Sequence, residues 1–162
     1  MTMKILFVCH GNICRSPMAE YIFRKLVSDA GVSDKFEIAS AATSSEEVWN
    51  DRGNPVYPAA KQKLYEHGIF CDDKRARQIT AIDYVYYDLL VGMDEMNIRN
   101  MKRVYHNDPE GKIHLLLEYT DNCRSISDPW YSGDFDTAYH EIEQGCIALF
   151  KHLTSESGHL QS

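Results

Sequence analysis

The ten residues Val8-Cys9-His10-Gly11-Asn12-Ile13-Cys14-Arg15-Ser16-Pro17 constrain this chain more than any other stretch. They separate a strand-length apolar run, 3–8, from residues 18–30, where apolar side chains recur at helical spacing. The segment is therefore a strand-to-helix turn. Ser16 stands where an N-cap would stand and Pro17 where the first helical residue would, so the N–H groups of the turn should converge on one point in front of the helix dipole. Such a point attracts anions. It also holds a cysteine, which reacts as the thiolate that such a field favours, and an arginine whose planar fork matches two oxygens of a phosphate.

The rest of the chain alternates between strand and helix patterns. Met18, Ile22 and Leu26 form one stripe of a first helix that stops at Gly31. Residues 36–41 are a second strand, followed by a polar loop over 43–53. Asn54-Pro55 repeats the cap-then-proline signal, and Val56, Ala60 and Leu64 carry a second helix to Gly68. Thr80 with Asp83 three residues on is a variant capping box that opens a short helix before a third strand, Leu89-Leu90-Val91. Asp94 caps a helix whose Ile98, Met101 and Tyr105 share a face, and a turn over 107–111 leads into a fourth strand over 113–117. After a loop over 118–133, a closing helix from near Asp134 carries Phe135, Ala138, Ile142, Leu149 and Leu153.

This alternation predicts an α/β fold of three layers, a four-stranded parallel sheet with helices on both faces and flavodoxin-like winding. Ligands in such sheets sit at the carboxyl ends of the strands, near the switch in strand order, and the opening turn follows the first strand. A length of 162 residues suits one domain, expected over 1–154, with a polar and disordered tail over 155–162. The formal charge of −7 opposes non-specific binding to nucleic acid. No apolar run reaches membrane-spanning length and no secretory leader is evident, so a cytoplasmic protein is expected. The five cysteines include no C-x-x-C pair, which argues against both a disulfide scaffold and a zinc site, and Cys71, Cys123 and Cys146 are expected as small apolar filler or surface thiols.

A bare C-x5-R spacing is weak evidence, but between a strand and a capped helix it defines a chemistry. Cys9 is the candidate nucleophile. Arg15 is the candidate clamp on the phosphoryl oxygens, a bidentate task, with His10, Gly11, Asn12, Ile13, Cys14 and Ser16 completing the phosphate cradle. With arginine and amides meeting the charge, no metal or other cofactor is required. Expelling a tyrosine phenolate, whose conjugate acid has a pKa of about 10, needs a proton donor across the phosphorus. Asp128 is the candidate, on a loop that Pro129 stiffens and whose Trp130 and Tyr131 wall a cleft.

Together with the late Asp128-Pro129, the opening turn resembles the low-molecular-weight protein tyrosine phosphatases. Ser40-Ala41-Ala42-Thr43-Ser44, Gly53-Asn54-Pro55, Ala76-Arg77-Gln78-Ile79-Thr80 and Met93-Asp94-Glu95 resemble that family's intervening segments in the same order. The resemblance implies the phosphotyrosine phosphatase I-like sheet and hydrolysis of protein phosphotyrosine through a phosphocysteine on Cys9. Phosphotyrosine proteins are then the substrates, and inorganic phosphate or similar oxyanions the ligands. It further implies that Ser16 hydrogen-bonds the thiolate, that Asn12 is left-handed and bonded toward Ser44, and that Asp94 orients Arg15. Trp49, in a loop longer than the family's, is expected at the substrate cleft beside Ile13, Trp130 and Tyr131. Lys74-Arg75 departs from the histidine common in relatives and implies a rewired network behind the turn. Cys14 lies close enough to Cys9 for a reversible disulfide. Two alternatives share the scaffold. Protein-arginine phosphatases tend to have threonine where this chain has Ile13, and thiol-coupled arsenate reductases need a late pair of cysteines that Cys71, Cys123 and Cys146 do not form.

Overall fold

In the computed structural model, which describes residues 2–156, strand β1 (Met3–Cys9) has a neighbour on each side and is buried from Ile5 onward. It runs parallel to β2 (Phe36–Ala42), with Met3 opposite Phe36 and Cys9 opposite Ala42, and parallel to β5 (Leu89–Gly92), with Val8 opposite Gly92. β6 (Ile113–Leu115) adds on the far side of β5, so the order is β2-β1-β5-β6. The chain leaves β1 toward one edge and later returns to its other side. The switch in strand order is therefore at β1, and the turn that follows β1 opens onto it.

Strand alternation divides the core. Ile5 and Phe7 pack with α1 (Arg15–Asp29), α2 (Pro58–Glu66) and α6 (Phe135–Glu156) through Phe23, Leu64 and Ile142. Leu6 and Val8 face the opposite layer, built on α3 (Ala81–Tyr86) and α4 (Glu95–Val104), where Tyr84, Met101 and Tyr105 are buried. These are the three layers expected. Cys71 and Cys146 are buried and Cys123 is exposed. Among the described residues no helix is long and apolar enough to cross a membrane.

Four boundaries differ from the sequence expectation. α1 begins at Arg15 with Cys14 as its N-cap, because the Ser16 hydroxyl is committed to Cys9; Pro17 falls within the first turn, where no N–H is needed. Asn54-Pro55 opens no helix. Pro55 bridges Arg75 antiparallel and Asn54 O accepts from Ala76 N–H, so backbone pairing overrides the cap signal and α2 starts at Pro58. The fourth strand ends at Leu115, since β5 offers no partner beyond Gly92, and residues Leu116–Tyr119 form a 3₁₀ turn. α6 continues to Glu156, past the expected start of the tail at 155; residues 157–162 lie outside the described region.

The loop after β2 contains a small hairpin, β3 (Val48–Trp49) and β4 (Arg52–Gly53). Its two central residues, Asn50 and Asp51, have φ of 50° and 62°, a conformation asparagine and aspartate tolerate. Gly53 seats the hairpin base against residues 75–78: a Cβ there would lie 1.7 Å from Ala76 O. Gly53→Ala must displace one backbone or the other and is expected to lower unfolding free energy by about 2 kcal/mol or more, measured by urea denaturation. A loss within about 0.5 kcal/mol would mean that this seat is plastic.

Candidate active site

Cys9 ends β1 with its sulfur under the opening turn. Three groups surround Sγ: Ser16 Oγ at 3.0 Å, the Asn12 N–H at 3.3 Å and the Ser16 N–H at 3.4 Å. Three donors aimed at one sulfur suit a nucleophile that carries negative charge.

The turn keeps its shape because Asn12, at φ 61°, is tied on three sides. Its Nδ2 donates to Ser16 Oγ at 2.8 Å and to Ser40 Oγ at 2.9 Å, while its Oδ1 accepts from Arg77 N–H at 3.1 Å. Since Ser16 Oγ accepts from Asn12, its own proton is free to point at Cys9. Ser40 likewise accepts from Asn12 and donates to Glu20 Oε1 at 2.6 Å. Lys74 completes the network, donating to Ser40 O at 3.0 Å and lying 3.6 Å from Glu20 Oε1. Burial pushes the Lys74 ammonium below its ordinary pKa, against the pull of Glu20.

This corrects one expectation. Asn12 bonds Ser40, not Ser44. Ser40 lies within β2, where alternation turns its side chain, like those of Phe36 and Ile38, to the face that α1 covers, whereas Ser44 lies past the strand end and its hydroxyl accepts from the Glu46 N–H. Asn12→Ala would put a β-carbon at positive φ without the side chain that satisfies Ser16, Ser40 and Arg77. A stability loss of about 3 kcal/mol is expected by denaturation, with Asn12→Gly recovering only the roughly 1 kcal/mol due to φ. Equal losses in the two variants would assign the whole effect to the hydrogen bonds.

Arg15 is 2% exposed and held on three sides. Its Nη1 donates to Asp94 Oδ2 at 2.8 Å and to Ile126 O at 2.7 Å, and its Nη2 lies 3.4 Å from Asp128 Oδ2. Burial disfavours the guanidinium charge, but Cys9, Asp94 and Asp128 together hold its pKa above the ordinary value. Asp94 has two roles that the sequence left as alternatives: its Oδ1 caps α4 by accepting from the Asn97 N–H at 2.8 Å, while Oδ2 takes Arg15. Asp128 similarly caps the short helix α5 (Pro129–Ser132), accepting from the Trp130 N–H at 3.0 Å. The cap fixes the carboxyl facing Arg15 across the cleft. Trp130 is braced by Tyr57, ring centroids 4.7 Å apart, and Tyr57 N–H reaches back to Ile13 O at 2.8 Å.

The cleft is lined by Cys9, His10, Gly11, Ile13, Cys14, Arg15, Asp128, Trp130 and Tyr131. Trp49 is not part of it. The hairpin turns that indole into solvent, 68% exposed, and the wall it was expected to form is made by Glu46 and Glu47. Sequence reading missed those two, although two acids just beyond the carboxyl end of β2, the strand beside β1, were a usable signal. It also missed Ser40 and Glu20, each a polar residue among buried apolar neighbours. Cys14 is buried, and burial together with the Cys9 and Asp128 charges pushes its thiol well up, so it sits in the cleft as a neutral thiol.

A parallel α/β sheet with an anion cradle, a cysteine and an arginine at its switch point defines a phosphatase of the C-x5-R class. The family model for low molecular weight phosphotyrosine protein phosphatase matches residues 4–159. The chicken enzyme of that name is 41% identical over 153 residues, covering 91% of this chain and 94% of that one. The crystal structure of YfkJ from Bacillus subtilis superposes with a TM-score of 0.91 at 33% identity, covering 97% and 98% of the two chains. A Drosophila arginine phosphatase superposes with a TM-score of 0.85 at 31% identity, over 96% of this chain and all of that one. The chain belongs to the low-molecular-weight phosphotyrosine protein phosphatase family, and it is a phosphatase.

Proposed function

We propose that the protein hydrolyses phosphotyrosine in proteins in two steps through a phosphocysteine. Cys9 Sγ attacks phosphorus in line with the leaving phenolate, the P–O bond breaks, and Asp128 gives its proton to the departing oxygen. Arg15 and the backbone N–H groups of the turn meet the charge on the equatorial oxygens as the phosphoryl group moves. Asp128, now ionised, takes a proton from a water that attacks phosphorus, and Cys9 leaves as thiolate with inorganic phosphate as product. The observation that carries this reading is the convergence of one sulfur under three donors, a fixed guanidinium and a capped carboxyl on a single cleft.

The arginine phosphatase neighbour supports a second reading, phosphoarginine hydrolysis on the same scaffold. Ile13 argues for the aromatic substrate: its branched side chain lines the cleft with Trp130 and Tyr131, an apolar slot suited to a phenyl ring. The test is kcat/KM on a phosphotyrosine peptide and on its phosphoarginine counterpart, both with a chelator present. The tyrosine substrate is expected to lead by at least about tenfold. A lead for phosphoarginine would replace this reading with the second. Inorganic phosphate is expected to inhibit competitively, and the free cysteines are consistent with a cytoplasmic setting.

Cys14 is proposed as the resolving thiol. Peroxide oxidises the Cys9 thiolate to a sulfenic acid with release of hydroxide, and Cys14 displaces water from it to leave a disulfide that an external dithiol reduces. Cys14→Ser is therefore expected to regain less than about half of the activity that wild type recovers with dithiol after the same peroxide exposure. Equal recovery would remove the role.

A further inference from the structure

The mouth of the cleft has two unlike walls. One is aromatic, Trp130 and Tyr131. The other is formed by Glu46 and Glu47, from the loop that joins β2 to the hairpin. Both acids are held. His10, next to the nucleophile in sequence, places its ring Nε2 3.0 Å from Glu46 Oε2, where facing a carboxylate it donates. Glu47 Oε1 accepts from Asn54 Nδ2 at 2.8 Å, and Asn54 N–H closes the same loop onto Glu47 O at 2.8 Å. Among the described residues neither carboxylate is paired with a lysine or arginine. The rim thus brings two carboxylates to a cleft that also holds Asp128 and that is a site for a phosphate dianion. The chain as a whole carries −7.

That arrangement repels an isolated phosphate ester and favours one that arrives with positive charge beside it. Resting on the phosphotyrosine reading, we infer that Glu46 and Glu47 are specificity-determining residues that select phosphotyrosine flanked by lysine or arginine. Once the phosphotyrosyl ring occupies the slot, adjacent residues of an extended peptide lie about 3.4 Å further along the chain. Successive side chains alternate in direction, so a neighbouring lysine or arginine meets the carboxylate wall by folding its long flexible stem back along the peptide, which a short side chain could not do. The aromatic wall offers such a cation a second favourable surface through the ring faces of Trp130 and Tyr131.

The test uses two synthetic phosphotyrosine peptides that differ only in having lysine or glutamate on both sides of the phosphotyrosine. Wild type is expected to favour the lysine peptide in kcat/KM by about three- to tenfold at low salt, and by less as potassium chloride is raised. In the Glu46→Gln/Glu47→Gln double variant the ratio is expected to fall below about twofold. Glutamine keeps an acceptor for Asn54 and a partner for His10, so the loop retains its anchors. No preference in wild type, or a ratio that survives both substitutions, overturns the inference. So does an equal fall on both peptides, which would report loop damage and not charge recognition. If both peptides are inert and phosphoarginine is turned over, the phosphotyrosine reading itself has failed.

Discussion

Replacing Cys9 by serine is expected to lower kcat on an aryl phosphate by about 10⁵ or more, without unfolding the protein. The substitution is nearly isosteric in a buried position, and an oxygen can still accept from Ser16 Oγ and from the N–H groups of Asn12 and Ser16. What is lost is the nucleophile, because a serine hydroxyl stays protonated at neutral pH and the histidine that lines the cleft, His10, turns its Nε2 to Glu46 Oε2. Arg15 keeps its three partners, so oxyanion binding is expected to persist. Inorganic phosphate should then still raise the unfolding temperature of the variant, following the mass-action relation between ligand concentration and stability. Residual turnover above about 1% of wild type would remove Cys9 from the chemical step.

Asp128→Asn is expected to lower kcat on a phenyl phosphate by about 10²–10³, the range of a lost general acid. Asparagine is as good an N-cap as aspartate, so Trp130 N–H keeps its acceptor and α5 its start. Arg15 loses one of its carboxylate neighbours but keeps the closer one, Asp94 at 2.8 Å against 3.4 Å. Chemistry is thereby separated from structure. The distinguishing measurement is a series of aryl phosphates whose phenols differ in acidity. The loss should shrink as the leaving phenol becomes more acidic and needs less protonation, and a loss independent of leaving group would make Asp128 a positioning residue for Arg15. Turnover of the more acidic leaving groups should also become limited by breakdown of the phosphocysteine, because the base for that step is the same carboxyl.

The comparison between sequence and structure separates two kinds of information. The opening turn was legible because its determinants are local. An apolar run ends at Cys9, Asn12 tolerates positive φ, Pro17 suits a first helical turn, and all lie within one stretch of chain. The capping residues Thr80 with Asp83, and Asp94 with Asn97, were legible or nearly so for the same reason. Helix starts failed where a distant segment competed. Asn54-Pro55 carries a good local signal, yet residues 75–76 arrive to pair with it and hold it extended. A competition within the turn itself moved the N-cap from Ser16 to Cys14, because the Ser16 hydroxyl is taken up by the Cys9 sulfur.

The sequence by itself pointed to the chemistry, a thiol, a guanidinium and a carboxyl in a pattern suited to a phosphate ester, on a βα alternation that calls for a parallel sheet. Tertiary structure alone decided which groups serve them. Ser40 and not Ser44 holds Asn12, Glu46 and Glu47 and not Trp49 form the second wall, and Lys74 reaches Glu20 across two elements. The physical reason is range. Caps, turns and periodicity act over a few residues and are written in the order of the chain, whereas the partner of a buried polar group is set by strand register and by the direction a hairpin turns, both fixed only when the sheet has assembled.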